Sequence, residues 1–214
     1  MHEHEAIKLF EELHAIERGH FSFASGMHSN TYVDKTRITP HTEVTSRLCL
    51  ALADWFANDE IEVVIGPALG AVVLAHTCAY HLSKNNERDV LALFAEKELL
   101  RVAEPIQSIV HYASTGKFII KRGYAELITG KRVLAIEDVL TTGGSAKKVV
   151  KVVRALGGTI IGVGALWNRG NVKREELDVP KLFSIINVFL PACDPKDCAQ
   201  CAAGIPIDQH IGYG

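Results

Sequence analysis

Arg132-Val133-Leu134-Ala135-Ile136-Glu137-Asp138-Val139-Leu140-Thr141-Thr142-Gly143-Gly144-Ser145 reads as a buried strand, an acidic pair, a glycine-rich turn and the opening of a helix. In open α/β sheets ligands gather beyond the carboxyl ends of strands, where such a turn lets backbone N–H groups approach a phosphate at a helix N-terminus. Thr141, Thr142 and Ser145 add hydroxyl donors. Glu137 and Asp138 would repel phosphate but can accept hydrogen bonds from sugar hydroxyls, so a phosphate and a sugar fit side by side. A Walker-type loop is excluded, because the lysine that follows its last phosphate-binding glycine is missing.

Outward from this stretch the pattern repeats. Residues 61–65 form a short β-branched run, followed by Gly66-Pro67-Ala68-Leu69-Gly70-Ala71 and a helical stretch to Leu82. Strands are expected at 90–94, 131–137 and 159–167, with a further one over 181–189, and a helix over 144–156. Strands alternating with helices indicate a mostly parallel sheet covered on both faces. Upstream, Ile7, Phe10, Leu13 and Ile16 recur at roughly helical spacing over 3–18, a strand-turn-strand unit follows Gly19, and residues 42–57 suit a second helix. The interval between Phe94 and Phe118 breaks the rhythm. It reads as a functional loop or an insertion, and Leu99, Leu100, Ile106, Ile109 and Val110 make part of it apolar enough to be helical or to dock onto a partner.

A length of 214 residues fits a single domain that can bury a sizeable core. With 23 basic and 25 acidic side chains, the formal net charge of −2 offers no basic footprint for nucleic acid, so any phosphate site is local. No apolar run reaches membrane-spanning length, and Met1-His2-Glu3-His4-Glu5 lacks the features of a secretory signal. Five scattered cysteines do not make a disulfide framework, and a cytoplasmic protein is expected. Cys193, Cys198 and Cys201 are close enough in sequence to suggest zinc, but no fourth ligand follows cleanly, with His210 the conceivable one. The histidines show no helical ligand pairing, so reduced, unligated thiols and no protein-bound metal are expected.

The string from Glu137 through Val139, Leu140 and Gly143 to Gly144 and Ser145 resembles the signature of the type I phosphoribosyltransferases. Ala68, Leu69 and Gly70 then resemble the family's pyrophosphate loop, whose N–H groups would face the leaving diphosphate. Phe94-Ala95-Glu96-Lys97-Glu98 and Phe118-Ile119-Ile120-Lys121-Arg122-Gly123-Tyr124 narrow the resemblance to the orotate phosphoribosyltransferases. Many members carry further lysine and histidine residues where Leu99, Leu100, Arg101 and Val102 stand here. Within that pattern Lys97 matches the basic residue at the pyrophosphate, with Arg122 the lesser match. Phe21-Ser22-Phe23-Ala24-Ser25-Gly26-Met27-His28 is similar to the hood segment, whose Ser-Gly turn offers N–H groups to a pyrimidine carboxylate, and Arg169 matches the position that reads orotate.

The resemblance implies an α/β type I phosphoribosyltransferase fold in one domain. Its parts would be a hood from residues 1–40 with the C-terminal segment, a core over 41–190 and a lid loop over 97–117. It implies transfer of phosphoribosyl from phosphoribosyl pyrophosphate to orotate in de novo pyrimidine synthesis, Mg²⁺ carried by the donor, and a homodimer. Lys97 and Asp138 would be catalytic, Glu137 with residues 138–145 and 68–70 would hold the donor with Arg122, and Ser25, Gly26, Thr141 and Arg169 would hold orotate. A phosphoribosyltransferase for another base and a regulator that binds the donor without turnover remain as alternatives, because the sugar-phosphate motif is shared while the base pocket varies.

Overall fold

The computed structural model describes residues 1–23, 25–103, 110–121 and 123–208, with backbone alone at 101–103 and 110–113. The amphipathic α1 (Glu3–Glu12) leads into the antiparallel pair β1 (Ile16–Ser22) and β2 (His28–Val33), followed by α2 (Thr42–Trp55). The remainder alternates: β3 (Val63–Pro67), α3 (Val72–Asn86), β4 (Leu91–Ala103), β5 (Val110–Ile119), β6 (Arg132–Leu140), α4 (Gly144–Ala155), β7 (Thr159–Asn168), α5 (Arg174–Leu177), β8 (Leu182–Ile186) and the short α6 (Ala199–Ala202). The six-stranded sheet runs β5-β4-β3-β6-β7-β8, and all neighbours are parallel except β4 and β5.

Because successive strand residues face opposite sides, β6 feeds two cores at once. Val133 and Ala135 pack with Val149, Val150 and Val153 of α4, while Leu134 and Ile136 pack with Leu48 and Leu52 of α2 and Leu74 and Cys78 of α3. The strand that the sequence reading starts from is thus the middle layer of the molecule. Beside it, β7 carries Gly162 and Gly164, where an added Cβ would lie 2.9 and 3.4 Å from the Phe56 ring. The ring at the end of α2 fills the space that these missing side chains leave.

Two expectations change. The first helix stops at Glu12 rather than running to residue 18, because His14 takes a left-handed backbone (φ 51°) and the N–H of Ala15 closes on the carbonyl of Phe10. Ile16 then starts a strand, its apolar spacing having matched a helix by coincidence. The second change is larger. Of the loop expected over 97–117, residues 97–103 and 110–117 are antiparallel strand: β4 continues past its last partner on β3, at Ala95, and pairs with β5 from Glu96↔Ile119 to Ala103↔Val110, while Ile106 and Ile109, where a helix was suggested, lie outside the described residues. Eight residues beyond the sheet project this arm on the order of 25 Å. No helix among the described residues is long and apolar enough to cross a membrane.

Removal of the Phe56 ring leaves a cavity over the β7 glycines. Phe56→Ala should cost about 3–5 kcal/mol, read as a lowered urea midpoint at unchanged m-value.

Candidate active site at the carboxyl edge

The parallel register brings four strand ends level. Pro67 of β3 pairs with Ala95 of β4, and Leu140 of β6 pairs with Asn168 of β7. Lys97 therefore stands just past the sheet on β4, residues 68–70 follow β3, residues 137–145 end β6, and Arg169 follows β7. The sequence-read residues line one edge, as the rule for open α/β sheets requires.

At the centre, Glu137 and Asp138 are both buried. Burial, then the charge of Asp138, pushes the Glu137 carboxyl well above the usual carboxylate range. Asp138 instead forms an ion pair with Lys35, Nζ to Oδ2 at 2.5 Å. Burial acts to lower the Lys35 ammonium, but the charge and hydrogen bond of Asp138, with Glu137 behind it, outweigh that and its pKa rises. A Cβ added at Gly70 would come within 2.0 Å of the same Asp138 oxygen and 2.7 Å of Lys35 Nζ, so a side chain at residue 70 would displace this ion pair. The loop after β3, the acid pair and Lys35 form one contact. Lys35 was missed in the sequence because nothing local marks it; it follows β2 and reaches the site only through the fold.

The turn beyond the acids is open. Thr141, Thr142, Gly144 and Ser145 are exposed, with the Thr142 hydroxyl oxygen accepting from the N–H of Gly144 at 3.4 Å. Gly143, which precedes α4, has φ +70°, and a Cβ there would also lie 2.6 Å from Leu177 Cδ2. Behind the turn, a Cβ at residue 170 would lie 1.6 Å from the Thr141 carbonyl oxygen, while the N–H of Gly170 donates to the Leu140 carbonyl at 3.0 Å. The twelve-residue α4 thus presents its N-terminal N–H groups and flanking hydroxyls to solvent, an arrangement suited to a phosphate dianion.

Arg169 is buried under the hood, its guanidinium 4.5 Å from the centre of the Phe23 ring. It donates through long bonds of 3.3–3.4 Å to Ser29 Oγ and the carbonyls of Thr31 and Leu190, and its Nε has no partner among the described residues. Burial lowers its pKa to about 10, so it remains a cation at neutral pH. Ser25 and Gly26 sit exposed in the β1–β2 turn, where Gly26 N–H closes on the Phe23 carbonyl. Leu69 projects into solvent at 88% exposure, and Lys97 is exposed on β4. Arg122 lies outside the described residues. A cleft of about 500 Å³ beside β7, lined by Asn168, Val172, Lys173, Phe183 and others, contains neither the acids nor Arg169, so the donors rather than the volume locate the site.

The sequence reading of the histidines needs correction. His20 and His28, on adjacent strands, converge with Cys198 and Cys201 to within 4.8 Å of one another. The pairing is across a bulged β-ladder and between chain ends, which helical spacing cannot reveal. His210 lies outside the described residues.

Residues 44–196 match the model of the phosphoribosyl transferase domain, which agrees with a glycine turn beyond an acidic strand end in a parallel sheet. The fold and the edge site define a phosphoribosyltransferase. Curated orotate phosphoribosyltransferases from Desulforamulus reducens and Caldanaerobacter subterraneus subsp. tengcongensis are each 35% identical, over 96% and 97% of this chain and 95% and 96% of their own lengths. The crystal structure of orotate phosphoribosyltransferase from Aeropyrum pernix superposes with TM-score 0.59 at 25% identity, covering 84% of this chain and 91% of that one. The Mycobacterium tuberculosis H37Rv orotate phosphoribosyltransferase shares the fold with TM-score 0.62 at 24% identity, over 86% and 95%. The chain belongs to the orotate phosphoribosyltransferase family.

Since folded Glu137 holds its proton more tightly than the unfolded chain does, stability should fall as pH rises from the ordinary carboxylate range through its raised value. Glu137→Gln keeps the oxygen that accepts from Asp138 N–H and removes the titration, so its urea midpoint should vary less with pH across that window. Gly143→Val combines backbone strain with a clash and should abolish binding of a phosphoribosyl donor, measured by calorimetry, with the fold checked by circular dichroism.

Proposed function

We propose that this chain transfers 5-phosphoribosyl from phosphoribosyl pyrophosphate to N1 of orotate, giving orotidine 5′-monophosphate and pyrophosphate in de novo pyrimidine synthesis. The observation that carries the reading is the alignment, on one sheet edge, of an open phosphate turn, a buried acid pair and a buried arginine under an aromatic hood. The curated relatives with near full-length matches are named for this activity. The regulator reading has less support, because the chain carries no basic nucleic-acid footprint.

In this reading the turn at 141–145 takes the 5′-phosphate and Glu137 and Asp138 take the ribose hydroxyls. As the C1–O bond to pyrophosphate breaks, positive charge develops on the ribose and is stabilised by the Asp138 carboxylate. Lys35 holds Asp138 in place before the donor arrives and can turn towards a phosphate oxygen once the ribose hydroxyls replace it. Lys97 and the N–H groups of Leu69 and Gly70 receive the departing diphosphate, the N–H of Ala68 being held by the Ala95 carbonyl at 2.8 Å. Arg169, its Nε without a partner among the described residues and its other contacts long and replaceable, reads the carboxylate and carbonyl oxygens of orotate with the turn at Ser25 and Gly26.

Magnesium fits this site as a companion of the donor. The edge offers hard oxygen donors, but Asp138 is ion-paired and Glu137 favours its protonated form, so the residues suit an ion that keeps waters and diphosphate oxygens. When bound it supplies charge neutralisation to the leaving group. The projecting hairpin β4–β5, with exposed Leu99 and Leu100, suits a lid that closes over the site or reaches a second copy in a homodimer, and a cytoplasmic location accords with the substrates.

Pyrophosphate release with Mg²⁺, phosphoribosyl pyrophosphate and a panel of bases tests the reading. Orotate should be the preferred acceptor, and Arg169→Ala should raise its KM or abolish turnover. Unchanged orotate kinetics in that variant would remove the base-site assignment. Asp138→Asn should lower kcat by about 10²-fold or more while the fold persists.

A further inference from the structure

We propose that His20, His28, Cys198 and Cys201 form a structural zinc site that clamps the hood hairpin to the C-terminal segment. The four side chains offer two imidazole nitrogens and two sulfurs, a donor set that selects tetrahedral zinc. Zinc bonds of about 2.3 Å to sulfur and 2.0 Å to nitrogen imply tetrahedral edges of roughly 3.3 Å between nitrogens and 3.5 Å between nitrogen and sulfur. Here His20 Nε2 and His28 Nδ1 are 3.0 Å apart, and nitrogen-to-sulfur distances are 3.5 Å (His20 to Cys198), 3.6 Å (His20 to Cys201) and 3.3 Å (His28 to Cys201).

The surroundings orient the ligands. His20 Nδ1–H donates to the Ile205 carbonyl at 2.7 Å, which leaves the Nε2 lone pair aimed into the cluster. The β1–β2 register shifts by one residue between Arg18 and Phe21, and that bulge re-aims His20 towards His28. Cys198 stands just before α6, with the backbone N–H groups of Cys201 and Gln200 facing its sulfur. His20, His28 and Cys198 are buried, so the cluster is closed on most sides. Further bonds knit the same segments: His28 and Cys193 exchange backbone hydrogen bonds at 2.8 Å, and Gln200 Nε2 donates to the Gly19 carbonyl at 2.9 Å. Cys193 lies against Cys198 but outside the four-ligand group.

The geometry assigns the metal a position, not a reaction. Its two histidines flank the turn that carries Phe23, Ser25 and Gly26, so zinc would fix the base of the flap that covers Arg169. The metal readout below does not depend on which base the enzyme uses.

The full chain, expressed with added zinc and washed with a weak chelator, is assayed by inductively coupled plasma mass spectrometry. One equivalent of zinc per chain is expected, retained in Cys193→Ser and lost in Cys198→Ser and in His28→Ala. Cobalt refolded into wild-type protein should give a thiolate charge-transfer band and the intense visible bands of a tetrahedral ion. If the variants fail to fold, wild-type protein stripped by a strong chelator serves instead: its Tm should fall and be restored by zinc but not by magnesium. Zinc-free wild-type protein that also gives no cobalt thiolate band, zinc retained in Cys198→Ser, or a Cys198–Cys201 disulfide found by mass spectrometry in protein purified without oxidant would each overturn the proposal.

Discussion

Two neighbouring buried carboxyl groups towards the end of a central strand are costly, and the rest of the site is arranged around that cost. Burial keeps Glu137 close to neutral, whereas Asp138 is met by an ammonium from outside the α/β core. The contact dictates more than charge. Lys35 is delivered by the segment after β2, so the hood is fixed over the sheet edge, and the loop after β3 lies so close that a side chain at residue 70 would displace the ion pair. Hood, the loop after β3 and β6 are located with respect to one another by this single meeting point.

The same economy appears at Arg169. An arginine held by long bonds and stacked beneath an aromatic ring is ordered without being fully satisfied, which suits a group that must change partners when a planar anion arrives. Both charged centres are pre-positioned in the free chain, and ligand oxygens would exchange for protein contacts rather than create order afresh.

Legibility in the sequence followed the range of the interactions. The strand, acids, turn and helix over 132–156 are consecutive, so their periods and residue types could be read directly, and the parallel sheet followed from the alternation. Arg169 was found because it ends a strand. The hairpin was not: Val110, Tyr112, Thr115, Phe118 and Ile119 have strand propensity, but the apolar spacing of the preceding segment suited a helix as well. Lys35 and the histidine-cysteine cluster were invisible for a different reason. Their partners lie far away in the chain, and no local pattern encodes a contact between residues 20 and 198 or between 35 and 138.

The approach of the Gly170 backbone to the Thr141 carbonyl joins the peptide that would hold the donor to the peptide next to the arginine that would hold the acceptor. With no side chain at residue 170, the two loops pack main chain against main chain, and a shift of one displaces the other. A descendant enzyme altered to accept a different base would have to change the side chains around Arg169 while leaving the path of the main chain through residue 170 intact. The coupling that aligns two substrates for reaction also restricts how freely their binding sites can diverge.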